Sequence, residues 1–291
     1  MKTFHLSWRK LPGPGRICLY VIMTALVAFM VLPLIYMIST AFKPMEELFL
    51  YPPRFFVKRP VLTNFQNLFG ALSSSSVPFS RYVLNSLFTT VVTVLLTVLV
   101  SSAGAYGLVK LKPRGSGFIM AVVIAALMFS SQVTAIPAYM VVSGMGLINS
   151  YAALILPKIA VAFNFFLMKQ FMEQVPDALL EAARIDGAGE GRIFFSLVMP
   201  VVKPAYATLI VFSFISSWND YFSALIYTNK NAMKTLPLAL QTISGGAGAS
   251  SLSTAGAAAA ASLVMVLPVV IVFMIMQSRV IETMAYSGIK S

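Results

Sequence analysis

The sequence predicts an all-α, polytopic membrane protein with six transmembrane helices, and three observations lead to this fold class. Hydrophobic residues make up 58% of the 291-residue chain and charged residues only 10%, and the mean hydropathy is +0.85. A water-soluble domain of this length could not bury so much apolar surface. The apolar residues also gather into runs of roughly 20 residues or more, the length at which a helix spans a bilayer.

The first apolar run is predicted to be an uncleaved membrane helix. Residues 1–16 are short and basic, as at the start of a signal peptide, but the run that follows is too long and has no clean cleavage site. We therefore expect a cytoplasmic N-terminus and a first helix that Pro33 kinks. The six predicted spans are residues 17–42, 82–108, 117–142, 152–173, 202–227 and 253–280.

The orientation of the chain is predicted from the charges of the short loops between the spans. Residues 43–81 are polar and rich in proline and aromatic residues, which favours an extracytoplasmic cap, although their basic residues oppose the positive-inside rule. The loop 228–251, which is rich in glycine and serine, is also predicted to be extracytoplasmic. Lysine and arginine are more numerous in the short loops on the opposite side, so both termini, including the tail 281–291, are predicted to be cytoplasmic.

The charged interruption at residues 174–200 is the most informative stretch. Pro176 suits the beginning of a helix, and Asp177 places negative charge near the positive end of the helix dipole. Gly187 supplies a helix stop. The pattern predicts two short helices with a bend, and their apolar face is expected to be exposed and to bind a partner protein. The residues predicted to form that face are Leu179, Leu180, Ala183, Ile193, Phe194 and Leu197.

This stretch resembles the cytoplasmic EAA loop of permease subunits of binding-protein-dependent ABC importers. The residues that carry the resemblance are Glu181-Ala182-Ala183, Gly187, Leu197 and Met199-Pro200. The family usually has Ile and Leu where Leu197 and Met199 stand. The order, the spacing and the membrane context agree with the family pattern. The alternative interpretation is an ordinary interhelical loop that happens to contain Glu-Ala-Ala.

The resemblance implies a type I ABC importer permease fold, with the permease core at 82–280, in a bacterial cytoplasmic membrane. The EAA loop would dock into a groove of a separate ATPase subunit as a coupling helix. The residues that would contact the ATPase are Glu181, Ala182, Ala183, Asp186 and Gly187 in the loop and Gly288 and Lys290 in the tail. For Ala182 and Ala183 alone, plain helix propensity is the simpler explanation.

Within this family the sequence is most similar to the second permease subunit of maltose-type importers. The matching stretches are Asn85-Ser86-Leu87, residues 182–188, Trp218-Asn219-Asp220 and residues 286–290. The resemblance implies a sugar substrate, a sister permease, two ATPase subunits and an extracytoplasmic sugar-binding protein. It also implies transport by alternating access, in which ATP binding closes the ATPase pair and the permease pair opens outward.

The chain carries no recognisable catalytic chemistry of its own. It contains no Walker A pattern, so we expect ATP and Mg²⁺ to bind to partner subunits. A single histidine, His5, and a single cysteine, Cys18, exclude a conventional Cys/His metal site and a nucleophile-base pair. The net charge of +12 is explained by loop lysines and arginines, and nothing resembles a nucleic-acid-binding stripe. A membrane enzyme is therefore disfavoured.

Polar residues inside apolar spans are candidates for the substrate pathway. These candidates are Asn85, Gln132, Asn164, Asn219, Asp220 and Tyr221. Asp220 and Tyr221 are equally compatible with an interfacial anchor, and Asn164 and Gln132 with hydrogen bonds to neighbouring helices. Lys158 is interpreted as snorkelling towards the membrane surface.

The competing functional class is a secondary transporter or channel that works without an ATPase. That class predicts buried carboxylates or a broken-helix ion site. The sequence shows neither clearly, and Pro137, Pro157 and Pro268 are explained by helix kinks.

Overall fold

The computed structural model describes residues 14–73, 77–245 and 254–288, and the regular elements in these ranges are all helical. The α-helices are α1 (Pro14–Ala41), α2 (Met45–Leu48), α3 (Thr63–Ser73), α4 (Phe79–Lys110), α5 (Ser116–Leu127), α6 (Ser131–Gly144), α7 (Tyr151–Ile159), α8 (Ala162–Glu173), α9 (Asp177–Ile185), α10 (Glu190–Arg192), α11 (Met199–Val201), α12 (Lys203–Trp218), α13 (Phe222–Tyr227), α14 (Leu236–Gly245) and α15 (Thr254–Gly288). A π-helical segment, Ile193–Val198, joins α10 to α11, and a 3₁₀ turn covers Asn231–Met233.

Three helices and three bent helix pairs account for the six predicted spans. The helices α1, α4 and α15 are long and apolar enough to cross a membrane unaided. The pair α5–α6 is bent by 114°, the pair α7–α8 by 44°, and the run Glu190–Val201 meets α12 at 81°. If each pair is one span, the described residues contain six spans. This finding confirms the predicted all-α membrane fold.

The structure corrects the predicted end of the fifth span. The fifth span ends at Trp218 instead of residue 227, because Asn219 Nδ2 donates to Ile215 O and Asp220 Oδ1 accepts from Ser223 N at 3.0 Å. These bonds turn the chain and start α13. The sixth span agrees with the prediction, because Ala255–Ser278 is the part of α15 that is long and apolar enough to cross a membrane. The helix continues to Gly288, so residues 281–288 of the predicted tail are helical. Lys290 lies outside the described residues.

The helix α4 is the centre of the bundle and packs against α7, α8, α12 and α14. Its buried face is a row of small hydroxyl residues that includes Thr89, Thr90, Thr93, Thr97, Ser101 and Ser102. Small residues allow neighbouring membrane helices to approach closely. Gly104 shows how close the approach is, because a Cβ atom there would lie 2.9 Å from the ring of Phe165 on α8.

The segment between α1 and α4 packs against the beginning of α15 through buried polar contacts. Lys43 is 2% exposed; its Nζ donates to Arg54 O and lies 4.9 Å from the centroid of the Tyr36 ring. Asn64 Nδ2 donates to Lys43 O at 2.8 Å. Gly256 on α15 lies directly against this amide, since a Cβ there would be 2.1 Å from Asn64 Oδ1.

Replacement of Gly256 by alanine is therefore expected to destabilise the folded chain. Asn64 is 6% exposed, and its Nδ2 donates hydrogen bonds to Ala41 O and Lys43 O. Its side chain therefore cannot move away from a new methyl group without losing these hydrogen bonds. Overpacking of this kind costs about 1–3 kcal/mol. The measurement is thermal unfolding of the purified protein in detergent.

Gly107→Ala is the matched control, because Gly107 is also helical but a Cβ there meets nothing within 4 Å. This control should leave stability unchanged or raise it by roughly 0.5–1 kcal/mol. Equal unfolding temperatures for the two variants would contradict the packing described here.

Candidate coupling loop and transmembrane cleft

The EAA-like loop presents a small outward surface on α9 and the turn that follows it. Glu181, Ala182, Asp186 and Gly187 are exposed, and Ile185 is 86% exposed. Gly187 has a φ of +81°, the left-handed conformation that glycine adopts at a helix end without strain. The predicted bend at Gly187 is confirmed, and the exposed part of α9 is mainly polar, with Ile185 as an apolar projection.

The predicted exposure of the loop's apolar face is wrong. Leu180 and Ile193 are each 1% exposed and Phe194 is 6% exposed, while Ala183 and Leu197 are partly buried against the same core. The apolar side of this amphipathic loop packs on the chain's own membrane bundle and is not left open for a partner. Ala183 therefore faces inward, and of the residues predicted for the apolar face only Leu179, at 40% exposure, is open to contact.

The start of α9 is attached to the last turn of α4. Lys110 Nζ donates to Val175 O at 2.5 Å and to Asp177 Oδ1 at 2.7 Å, although its side chain is only 4% exposed. Lys112 Nζ lies 3.5 Å from Asp177 Oδ2. The hydrogen bond and the positive charge of Lys110 lower the pKa of the Asp177 carboxyl below its ordinary value.

The end of α9 is attached to α4 through a second carboxylate. Arg184 Nε donates to Glu190 Oε1 at 2.7 Å, and Tyr106 Oη donates to Glu190 Oε2 at 2.5 Å. Tyr106 and Lys110 are one helical turn apart on α4, so a single turn of this helix contacts both ends of the coupling loop. Tyr106, Lys110 and Glu190 were not predicted as site residues, because their contacts join parts of the chain that are far apart in sequence.

A second candidate site is a cleft of about 340 Å³ among α4, α7, α8 and α12. Asn164, one of the predicted pathway residues, lines it. Its Nδ2 donates to Ser213 Oγ on α12 at 3.4 Å, as the alternative of a hydrogen bond to a neighbouring helix predicts. The rings of Phe163 and Phe212, 5.9 Å apart, also line it. The polar lining residues are Thr93, Lys158, Asn164, Ser213, Ser216 and Ser217.

Lys158 and Asp220 form an ion pair at the cleft, with side chains 20% and 17% exposed. The interpretation of Lys158 as a snorkelling residue is therefore wrong, since its ammonium group has a carboxylate partner inside the protein. The pair joins α7 to the turn between α12 and α13. Its two residues are 62 positions apart, so the pairing could not be read from local sequence.

The other predicted pathway residues lie elsewhere. Asn85 is 2% exposed; its amide nitrogen donates to Ala232 O and Lys234 O and its amide oxygen accepts from Tyr151 Oη, so it is a packing residue near the beginning of α4. Gln132 is exposed in the first turn of α6. Asn219 and Tyr221 line a separate groove of about 320 Å³ against α14 and α15.

The Lys110–Asp177 contact predicts a pH-dependent contribution to stability. Because the folded-state pKa of Asp177 is lowered, the contribution is complete above the ordinary carboxyl pKa of about 4 and is lost as the pH falls through the lower folded value. Asp177→Asn should lower the unfolding temperature at pH 7, and the difference from the unmodified protein should shrink on acidification.

The matched control is Asp186→Asn, because Asp186 forms no ion pair among the described residues. Thermal unfolding between pH 3 and pH 7 checks both variants. A stability difference for Asp177→Asn that persists unchanged at the lowest pH would contradict the assigned contact.

Comparison with known proteins agrees with the loop and with the fold. Residues 97–285 match the family model for the inner membrane component of binding-protein-dependent transport systems. A polygalacturonan/rhamnogalacturonan transport system permease of Bacillus subtilis is 33% identical over 77% of this chain and 75% of its own length. An arabinooligosaccharides transport system permease of Halalkalibacterium halodurans is 31% identical over 75% of this chain and 78% of its own length.

A solved structure of a bacterial ABC transporter involved in the import of the acidic polysaccharide alginate contains a chain with the same fold. The TM-score is 0.76 at 23% identity, over 92% of this chain and 99% of that one. The family match extends from the second half of α4 to near the end of α15. The chain belongs to the family of binding-protein-dependent transport system inner membrane components.

Proposed function

We propose that this chain is the permease subunit of an ATP-driven importer that moves a sugar or oligosaccharide across the membrane. The observation that carries the proposal is the EAA-like loop, whose apolar side is fixed to the bundle while Glu181, Ala182 and Ile185 are exposed. The substrate class is supported by relatives named for polygalacturonan, arabinooligosaccharide and lactose transport.

The proposed assembly contains a sister permease, two ATPase subunits and an extracytoplasmic sugar-binding protein. ATP and Mg²⁺ are bound by the ATPase subunits, and this chain is not an enzyme. Both termini and α9 lie on the cytoplasmic side, which is supported by the excess of basic residues in the short loops on that side. Gly288, at the end of α15, lies on the same side.

In the proposed mechanism, ATP binding moves the coupling loop and α4 carries the movement into the membrane. Glu181, Ala182, Asp186 and Gly187 dock on the ATPase, and Ala183 contributes from the inner side by packing α9 on the bundle. The contacts at Tyr106 and Lys110 make the loop and the end of α4 move together. Alternating access then requires two packings of the bundle, whose populations the ATPase contact shifts.

A secondary transporter without an ATPase is the second candidate, and one observation favours it. The Lys158–Asp220 pair beside the bent α7–α8 span is a partly buried ion pair at a broken helix, which such transporters also use. The exposed coupling surface on α9 has no role in that mechanism. Dependence of transport on the ATPase therefore separates the two functions.

Ile185→Asp is expected to release the ATPase from the purified assembly and leave the sister permease bound. At 86% exposure, Ile185 contributes nothing to the fold of this chain, but a carboxylate would be desolvated in an apolar contact with the partner. The measurement is the subunit composition after purification from native membranes.

The control is Tyr51→Asp, since Tyr51 is 95% exposed and lies in the segment between α1 and α4, on the opposite side of the membrane in the proposed topology. This variant should retain both partners. An unmodified assembly that contains no ATPase, and that still transports its substrate, would establish the secondary transporter instead.

A further inference from the structure

The transmembrane cleft contains two buried hydroxyl groups without partners. Thr93 is 1% exposed and Ser217 is 7% exposed, and neither Oγ atom has a hydrogen-bond partner among the described residues. Threonine and serine in membrane helices commonly donate to the carbonyl group four residues earlier, as Thr89 does to Asn85 O at 2.8 Å. A buried hydroxyl without a partner costs free energy, so these two groups are available to a ligand that enters the cleft.

The backbone beside these hydroxyl groups is also interrupted. The α7–α8 span bends by 44° at Ala160 and Val161, and Val161 lines the cleft. Non-helical backbone within a membrane is tolerated where it lines a cavity, and transporters place binding sites at such breaks. Thr93 lies near the middle of the 32-residue α4, so the cleft is far from both ends of the span.

The lining has the chemistry that recognises a neutral sugar ring. The amide of Asn164 and the hydroxyl groups of Ser213, Thr93 and Ser217 offer both donors and acceptors. The rings of Phe163 and Phe212 provide apolar surface for the C–H face of a sugar. A volume of about 340 Å³ is at the small end of the roughly 300–1,000 Å³ typical of ligand pockets, which suits a single glycosyl unit.

The charge of the cleft selects against acidic sugars. Lys158 is the one charged side chain among the described lining residues, and Asp220 already neutralises it. A uronate carboxylate would enter without a free countercharge and would lose its hydration.

We propose that this cleft binds one neutral glycosyl unit of the transported sugar through Thr93, Asn164, Ser213 and Ser217. This inference rests on the proposed function and adds the location of the site and its preference for neutral over acidic sugars. The site lies within this chain, although the translocation pathway as a whole is shared with the sister permease.

The first test uses the complete transporter, with its partner subunits and binding protein, in proteoliposomes supplied with ATP. The probes are lactose, arabinotriose and trigalacturonate. Thr93→Val and Ser217→Ala remove the free hydroxyl groups and should each lower uptake of the neutral probe about tenfold at limiting concentration, the usual effect of losing one buried hydrogen bond.

Thr90→Val is the matched control. Thr90 lies on the same helix, is 1% exposed and also has no partner among the described residues, but it does not line the cleft. Its replacement should change uptake less than twofold. If Thr90→Val and Thr93→Val have equal effects, or if neither Thr93→Val nor Ser217→Ala lowers uptake, the site is not in this cleft.

Labelling provides a readout that does not depend on turnover. In a Cys18→Ser background, Ser213→Cys places a single thiol in the cleft, and its alkylation by a small maleimide should be slowed by lactose or arabinotriose and not by trigalacturonate. Equal protection by trigalacturonate, or no protection in a transporter that imports the neutral probe, overturns the inference. Failure of the unmodified transporter to import any of the three probes instead overturns the sugar assignment of the proposed function.

Discussion

The attachment of the coupling loop to one turn of α4 is the contact on which the rest of the account depends. Lys110 bonds the start of α9 and Tyr106 bonds the Arg184–Glu190 pair at its end. Lys110 is almost fully buried and also donates to Val175 O, so the attachment does not depend only on the ion pair with the half-exposed Asp177, which salt can screen. With the apolar side of α9 packed on the bundle, the loop and the end of α4 behave as one body.

The same helix also reaches the cleft, which connects the two candidate sites. α4 is unbroken for 32 residues, whereas the three spans formed by helix pairs are bent by 44° to 114°. A continuous helix surrounded by interrupted ones can transmit a displacement with little change in its own hydrogen bonds. The bent spans provide the places where the bundle can adopt a second packing, and the Lys158–Asp220 pair joins one of them, at α7, to the turn that follows α12.

Much of the fold could be predicted from local sequence because membrane spans and the EAA-like loop are encoded by continuous stretches. The six apolar runs and the bend at Gly187 required only hydropathy and glycine conformation. The orientation of α9 was not predictable in this way, since Leu180 and Ala183 form an apolar face whether that face meets a partner or the chain's own bundle.

Most of the candidate site contacts escaped prediction for a related reason. Asn85 and Asn164 are the same residue type in the same kind of apolar run, yet one amide is saturated by loop carbonyl groups and the other lines the cleft. The partners of Lys158 and Tyr106 are 62 and 84 positions away along the chain. Such contacts depend on helix packing, which hydropathy and spacing do not specify.

The most direct test of this account is the ratio of sugar imported to ATP hydrolysed by the complete transporter after Tyr106→Phe and Glu190→Gln, alone and together. The account predicts that ATP hydrolysis persists while import falls, and that the double variant is no worse than either single variant because both changes break one connection. Import and hydrolysis that remain in their original ratio in all three variants would contradict the role of this contact in coupling.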